Sequence, residues 1–419
     1  MRPIFHWAGR LAALLLPLAA APALSAEPAA LGFEEAARLA ADAPDPSLAR
    51  LHARAGALED LAVADAALPD PKLRAGFLNF PTDTFRDAQE PMTQYQIGLR
   101  QDFPPGDTLS FKGQERQAEA GIAQHEKGLL RRQIVFDVRR AWLDLFLAER
   151  AKHIAEENLG ALRELAGAQT ASFASGRSGG QDIFRAELEI ALMEERLSAL
   201  AQSQEKAKAR LGRYIGAHAA RPLPAGLPAL GAPASPDILK EALAAHPAVK
   251  AEEAAIRREE AEIGIAEEAY KPAWGIEAGY GYRAGGQADF ASIGVTLSIP
   301  LFTANRQDRR LSAAMKEREA ARLGRAALLR DLARDLETAL ADWRQFEKRR
   351  ALYENAVTGR ARAAAQASVN AYANGTADFP EIVRDRVAVF EAELALLAVQ
   401  VDQAKAWAAI AYLTGDNHE

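Results

Sequence analysis

The most constraining feature of this sequence is a heptad repeat that occurs twice, 199 residues apart. Apolar residues recur at alternating steps of three and four over residues 183–214, and the pattern returns over residues 382–413 with one charged exception. A glutamine stands at the same position in both copies, Gln204 and Gln403. Such heptads are typical of helices that pack as coiled coils. The sequence therefore predicts a duplicated and largely helical protein.

Prolines mark corresponding points in the two halves. Pro46 and Pro247 lie 201 residues apart, and Pro104 and Pro300 lie 196 apart. Long stretches between the prolines have none, which permits long helices because interior proline breaks a helix. Each half is predicted to contain a helix, two strands, a very long helix and a returning helix. The predicted divisions are a first repeat at 27–216 with its helical hairpin at 106–216, a Pro/Ala/Gly linker at 217–235, and a second repeat at 236–419 with its hairpin at 303–415.

The first 26 residues have the pattern of a secretory signal peptide. Arg2 and Arg10 precede an apolar segment over 11–21, and the small residues Ala23 and Ser25 follow it. The alternative is an N-terminal anchor helix, but the apolar segment is shorter than the ~20 residues that cross a bilayer. We therefore expect the mature chain to act outside the cytoplasm.

Four short segments alternate between apolar and polar residues, as β-strands do. They are predicted at about 72–80, 94–103, 274–284 and 291–300. One predicted face carries Tyr95, Tyr280, Tyr282 and Ile293. The other predicted face carries Gln96, Arg100, Glu277 and Arg283. This pattern fits an outer-membrane β-barrel with apolar residues toward lipid and polar residues toward the lumen, whose strands need ~9–11 residues. Two soluble hairpins packed on helices are the alternative.

Four membrane strands cannot close a barrel, since open edges in hydrocarbon leave backbone groups unpaired and small barrels begin at about eight strands. Three copies would supply 12 strands, so a trimer is predicted. Strand parity then puts the loops at 81–93 and 284–290 outside the cell, and the C-terminal residues 415–419 in the periplasm.

Composition and motifs give little support to catalysis or to metal and nucleic-acid binding. The net charge of −6 argues against a non-specific nucleic-acid binder. The absence of cysteine excludes disulfides, zinc-thiolate sites, a cysteine nucleophile and a thiol for lipid anchoring. His153 and Glu157 form the one histidine-carboxylate pair at helical i, i+4 spacing. No cofactor or metal site is predicted.

Residues 176–180 match the Gly-x-Ser-x-Gly motif of serine hydrolases, with Ser178 in the nucleophile position. A nucleophile elbow needs a strand before it and a helix after it, whereas this motif lies where two helices must be joined by a turn. We therefore interpret the glycines as turn residues and predict no enzymatic activity.

The duplicated order of elements, together with the segments LPDP at 68–71, EPMT at 90–93 and FPPG at 103–106, resembles the outer-membrane factors of tripartite efflux pumps, the TolC family. These segments are more similar to its heavy-metal efflux branch. The resemblance implies an α+β membrane protein, a homotrimer whose 12-stranded outer-membrane β-barrel continues into a periplasmic α-helical coiled-coil barrel. It also implies docking through a periplasmic adaptor onto an inner-membrane pump of the proton-driven RND type.

The resemblance also suggests functional residues at the two helical turns, at 174–182 and 373–381, which would form the periplasmic tip that gates the channel and docks the adaptor. In the second turn, Gly375 is followed by Glu381, Arg384 and Asp385. In the first turn, Gly176 is followed by Asp182 and Arg185. Three copies of Glu381 near one axis would repel one another, and Arg384 would relieve that repulsion. Ordinary i, i+3 surface pairing between acid and arginine is the alternative.

The function predicted from these features is a passive exit duct for an efflux system, with heavy-metal cations as its cargo. The alternative from another class is a secreted coiled-coil structural or adhesin-like protein. That alternative accounts for the heptads but not for the four alternating segments or the duplicated prolines.

Overall fold

The structure is a computed structural model that describes residues 29–175 and 179–415. The predicted signal peptide therefore lies outside the described residues. The helices and strands, in chain order, are α1 (Phe33–Asp42), α2 (Pro46–Asp65), β1 (Lys72–Leu78), β2 (Gln94–Phe103), α3 (Thr108–Ala174), α4 (Gly180–Ile215), α5 (Pro236–Ala242), α6 (Pro247–Glu268), β3 (Ala273–Tyr282), β4 (Phe290–Ser298), α7 (Gln307–Leu352), α8 (Thr358–Ala373) and α9 (Phe379–Thr414). The order α2, β1, β2, α3, α4 recurs as α6, β3, β4, α7 with α8, and α9.

The long helices are continuous in the first half and interrupted in the second. Helix α3 has 67 residues, which at ~1.5 Å per residue is roughly 100 Å of helix. In the second half, a π-helical turn at Tyr353–Val357 separates α7 from α8. The prediction of one uninterrupted long helix there is therefore wrong in detail. A π turn accommodates extra backbone within a helix and shifts the register of the faces that follow.

The four strands form one antiparallel sheet in the order β1-β2-β3-β4. The central pair, β2 and β3, joins the two repeats, with Tyr95 opposite Tyr282 and Phe103 opposite Trp274. Strands β1 and β4 are the edges of the sheet and have no partner on their outer sides within the described chain. Strand β1 ends at Leu78, two residues before the predicted end, and Asn79 beyond it has a positive φ of 53°.

In addition to the β2–β3 pairing, the two repeats contact each other where α3 packs on α6. Gly264 is the contact residue on α6, and a side chain there would meet the ring of Phe111 at 2.5 Å. In the turn from β2 to α3, the Asp107 backbone amide donates to Glu268 over 2.7 Å. Further along the contact, burial and the facing Glu262 carboxyl raise the pKa of Glu115 to about 7. A close helix contact therefore fixes one repeat against the other directly below the sheet.

The core is divided along the length of the molecule. Near the middle, Trp142 is fully buried and donates to the Leu31 carbonyl over 2.9 Å, which ties the N-terminal segment to α3. Arg221 in the linker holds the same segment through Glu35 at 2.7 Å. A separate cluster near the helical turns contains Met193 and Phe390, and so joins the two hairpins. In the described part of the chain, no helix is both long enough and apolar enough to cross a membrane.

His246, which caps the start of α6, predicts a pH dependence of folding stability. Its side chain is 1% exposed, and Nδ1 accepts from the Ala248 amide at 3.3 Å. Burial, with the nearby Arg132 charge, lowers the pKa of His246 from 6.5 to about 4. The unfolded chain therefore takes up a proton below pH 6.5 while the folded chain does not, so stability falls between about pH 6.5 and pH 4 by about 3 kcal/mol.

The measurement is the unfolding free energy of the detergent-solubilised protein in denaturant at pH 7.5 and 4.5, compared with that of His246→Asn. Asparagine keeps a capping acceptor but does not titrate. The variant should lose less stability than the wild type on acidification, and an equal loss in both would assign the effect to other groups.

Candidate functional site: the sheet faces and the helical tip

One face of the sheet is apolar and exposed along all four strands. Ile293, on β4, is the extreme case with 84% of its surface exposed. From the strand registers, this face carries Leu73, Ala75, Phe77, Tyr95, Ile97, Leu99, Trp274, Ile276, Ala278, Tyr280, Tyr282, Ala291, Ile293, Val295 and Leu297. Among the described residues no helix covers it, because the helices extend away from the ends of the strands. An exposed apolar surface of this extent is characteristic of contact with a membrane or a partner.

Aromatic side chains lie at both ends of the apolar face. At the end nearest the helices, the rings of Phe103 and Trp274 stack with centroids 4.0 Å apart. At the far end, Tyr95 lies 5.0 Å from Phe77 and 6.2 Å from Tyr282. Trp274 and Tyr282 are eight residues apart on β3, or about 26 Å along a strand. Membrane barrels have an apolar band about 25 Å tall between two aromatic girdles.

The opposite face is polar and rich in glycine. Gln96, Arg100 and Glu277 share this face, as their alternation with the apolar residues requires. Asp102 binds Lys72 at 2.8 Å and Arg100 at 2.7 Å, so the charges on this face are partly paired across strands. Glycines pair directly across the central strands at Gly98 and Gly279. This surface can line water, whereas the apolar face cannot.

Arg283, predicted as a residue of the polar face in a strand ending at 284, lies in the loop instead. Strand β3 ends at Tyr282, and Gly285 and Gly286 beyond it have positive φ values that turn the chain. The Arg283 side chain donates to the Ala288 carbonyl at 2.6 Å and to the Pro91 carbonyl of the other loop at 3.0 Å. It therefore ties the two loops together, a long-range contact that alternation along one strand cannot reveal.

The predicted tip residues lie at the first turns of α4 and α9. Asp182 and Glu381 are in the first helical turns, where the helix dipole favours acidic side chains. Arg185 and Arg384 are exposed one turn later. Within the described chain, neither arginine has an ion pair with the acid three residues before it. The i, i+3 pairing that was the alternative explanation is therefore not formed in the protomer.

The remaining tip predictions have separate outcomes. Gly375 has a φ of 70° in the turn between α8 and α9, a conformation that glycine adopts readily. Asp385 accepts a hydrogen bond from Ser368 on α8, so it holds its own hairpin together. Gly176 and Ser178 fall within residues 176–178, outside the described residues.

Sequence reasoning missed a polar contact between the two hairpins near the tip. Tyr372 on α8 donates its hydroxyl proton to Gln169 on α3, with 2.7 Å between the oxygens. Gln169 is 1% exposed, and the Tyr372 ring packs edge-on against Phe379. The signal available in the sequence was a glutamine among apolar residues of α3, but its partner is 203 residues away.

The described chain contains no group of three or more histidine, aspartate or glutamate side chains placed to hold a metal ion. His153 and Glu157, the pair at helical spacing, lie 3.3 Å apart and are both exposed.

Solved structures of outer-membrane proteins share this fold. OprN, described as an outer-membrane channel, matches with a TM-score of 0.77 and 19% identity over 91% of this chain and 89% of its own. VceC from Vibrio cholerae matches with a TM-score of 0.76 and 17% identity over 92% and 97%. The open MtrE channel of Neisseria gonorrhoeae matches with a TM-score of 0.74 and 17% identity over 92% and 89%. Among curated protein sequences, none matches the chain significantly.

The sequence of the second repeat also matches a family model. Residues 238–416 fit the model of the outer membrane efflux protein family. The second half of the chain is thus similar in sequence to this family. Its members are outer-membrane channels with a large helical part in the periplasm, and they are transport ducts rather than enzymes. They work with adaptor and inner-membrane pump partners. The family resemblance predicted from the sequence is thus confirmed over the second repeat, and the solved structures confirm the likeness of fold over 91–92% of the chain.

Proposed function

We propose that this chain is the exit duct of a tripartite efflux system, in which a homotrimer passively conducts substrate from an inner-membrane pump and its adaptor to the outside. The observation that carries the proposal is the four-stranded sheet, with an aromatic-bounded apolar face on one side and a glycine-rich polar face on the other. The long helical hairpins continue from the same end of this sheet. A membrane-spanning wall joined to a periplasmic tunnel needs this combination.

The sheet edges support a trimer. Strands β1 and β4 expose unpaired backbone groups, which hydrocarbon does not tolerate. If β4 of one chain pairs with β1 of the next, three chains close 12 strands. One chain supplies only four strands, too few for a barrel. Two chains supply about eight, which form the smallest barrels, whose interior is filled by side chains rather than by water.

The helices support the same closure. Within the chain, repeat one contacts repeat two through β2 with β3 and through α3 with α6. Repetition of that contact between chains would bring α7 against α2 of the next protomer. Both helices have exposed apolar side chains available for it, including Val63 at 75% exposed on α2 and Leu323 at 62% on α7. Six similar repeats would then surround one axis.

The cargo and the pump are proposed from the segments at 68–71, 90–93 and 103–106, whose similarity is to the heavy-metal branch. We propose heavy-metal cations as cargo and a proton-driven RND pump as the energy source. A duct that moves ions in water needs no ligand cluster of its own. The loops around 81–93 and 284–290 would open outside the cell and the helical turns would face the pump.

Deleting the gene tests this function. Cells without the protein should become more sensitive to some of copper, silver, zinc, cobalt and nickel, with little change toward detergents and dyes. The protein should sediment with outer membranes and resist extraction by salt. Sensitivity to dyes alone would overturn the metal cargo, and release by salt would favour a secreted structural protein.

The contact between Tyr372 and Gln169 is proposed to hold the tip closed, because it joins the two hairpins that must separate if the tip widens. Tyr372→Phe removes one hydrogen bond, worth about 1 kcal/mol, and should shift the balance between closed and open tips roughly fivefold. The measurement is single-channel conductance and open probability in planar bilayers. The matched control is Tyr353→Phe, since the Tyr353 hydroxyl has no hydrogen bond in the described chain. Equal conductance in all three proteins would assign Tyr372 a purely structural role.

A further inference from the structure

The charged side chains on the polar face of the sheet all lie at the end of the strands nearest the helices. From the strand registers, they are Lys72 and Arg74 on β1, Arg100 and Asp102 on β2, and Glu277 on β3. We call these five residues the charged band. Toward the loops, the same face continues with uncharged residues only, namely Gly76, Leu78, Gln94, Gln96, Gly281 and Phe290.

The charged band contains more cations than carboxylates. Asp102 is shared between Lys72 at 2.8 Å and Arg100 at 2.7 Å, so one carboxylate serves two cations. Glu277, the other carboxylate, lies opposite Arg100 in the strand register. Arg74 is exposed and has no ion pair in the described chain. Three cations against two carboxylates leave one net positive charge on each chain.

Closure of the proposed barrel would not neutralise Arg74. Transferring the β2–β3 register to the outer edges, with the proline offset of 201 residues for β1 and of 196 residues for β4, places Arg74 opposite Ser298 of the next chain. The polar face of β4 near this position carries glycine, serine and threonine and no charge. The net positive charge would therefore recur three times around the lumen.

We propose that the charged band makes the base of the barrel lumen favour anions over cations. The inference rests on the proposed function and specifies the form of cargo that this part of the duct passes most readily. Rings of arginine and lysine side chains favour anions in pores. A heavy-metal cation would then cross the band more readily as a complex with chloride or another anion than as the bare ion.

The width of the barrel sets the strength of this preference. Twelve strands about 4.8 Å apart and tilted by about 40° form a wall with a radius of roughly 12 Å. The Debye length is about 30 Å at 0.01 M salt, about 8 Å at physiological ionic strength and about 3 Å at 1 M. The field of the band therefore spans the lumen in dilute salt, reaches part of the way to the axis at physiological ionic strength, and is screened at high salt.

The test measures the ratio of chloride to potassium permeability of the trimer in planar bilayers, from the reversal potential in a gradient of potassium chloride. In salt of about 0.01 M, Arg74→Gln removes the net charge of the band and should lower this ratio about threefold. Arg74→Lys keeps the charge and should leave the ratio as in the wild type. Thr296→Arg adds a cation to the same face and should raise the ratio. At about 1 M salt, the differences between the proteins should disappear.

The matched control is Arg86→Gln, which removes the same charge from the loop at 81–93, beyond the far end of the sheet. It should change the permeability ratio much less than Arg74→Gln does. An equal change in the two variants would assign the effect to the total charge of the channel and would overturn the inference.

An unchanged permeability ratio in Arg74→Gln and in Thr296→Arg, with a wild type that conducts, would also overturn the inference and would leave the exit-duct function intact. If Arg74→Gln does not assemble, Thr296→Arg decides by itself. A wild type that forms no conducting channel would instead contradict the proposed function.

Discussion

Replacing Ile293 with arginine is expected to prevent stable insertion of the trimer in the outer membrane. Ile293 lies at the centre of β4 on the apolar face and has 84% of its surface exposed. If that surface contacts lipid, an arginine at mid-depth costs about 2–4 kcal/mol per chain, and three chains share one barrel. The measurement is the amount of heat-modifiable trimer recovered from outer membranes.

Thr296→Arg is the matched control, because Thr296 lies three residues further along the same strand, on the polar face. It should assemble nearly as well as the wild type, since a lumen position can hydrate the charge. Equal tolerance of the two arginines would contradict the membrane-spanning assignment of the sheet. Equal failure would show that β4 accepts no charge on either face and would also count against a wet lumen.

Gly264→Ala is expected to have the second large effect, by separating the two repeats below the barrel. The new methyl group would meet the Phe111 ring at 2.5 Å, far inside van der Waals contact, so α3 and α6 must move apart. Overpacking of this kind costs about 1–3 kcal/mol even though alanine favours helix. The measurement is the unfolding free energy in denaturant, with trimer yield as a second readout.

Gly167→Ala on α3 is the control, since a side chain there meets nothing within 4 Å. It should leave stability unchanged or raise it slightly. Combining Gly264→Ala with Phe111→Leu should recover part of the loss, because the two side chains compete for the same space. If the effects of the two substitutions on stability simply add, the destabilisation by Gly264→Ala does not arise from contact with Phe111.

The elements that depend on local pattern could be predicted from the sequence. Alternation of apolar and polar residues predicts that Gln96 and Tyr95 lie on opposite faces of the sheet. The structure places them so, because successive side chains of a strand point to opposite faces. The heptads of α4 and α9 were visible because coiled-coil packing repeats with a fixed period. The prediction that Arg283 lies on the polar face is wrong because β3 ends at Tyr282, where Gly285 and Gly286 turn the chain, although the alternation of apolar and polar residues continues to Arg283.

Contacts between distant parts of the chain could not be predicted in this way. The π turn at Tyr353–Val357 has no periodic signature, and the Tyr372 to Gln169 bond joins residues from different repeats. At the tip, the spacing of Glu381 and Arg384 suggests an ion pair, but first-turn acids are already favoured by the helix dipole, and Arg384 has no ion pair with Glu381 in the described chain. Spacing along one helix does not determine which of these contacts forms.

The most direct test of the proposed duct is disulfide cross-linking between β1 and β4 of neighbouring chains. The protein has no cysteine, so engineered pairs have no background. Transferring the β2–β3 register to the outer edges, with the proline offset of 201 residues for β1 and of 196 residues for β4, places Gly76 opposite Thr296. A variant with Gly76→Cys and Thr296→Cys should, on oxidation in membranes, give covalent dimers and trimers and nothing larger. Gly98→Cys with Gly279→Cys, opposite each other within one chain, should remain monomeric. Monomers alone in the Gly76→Cys, Thr296→Cys variant, or a ladder that continues beyond the trimer, would contradict a closed 12-stranded channel.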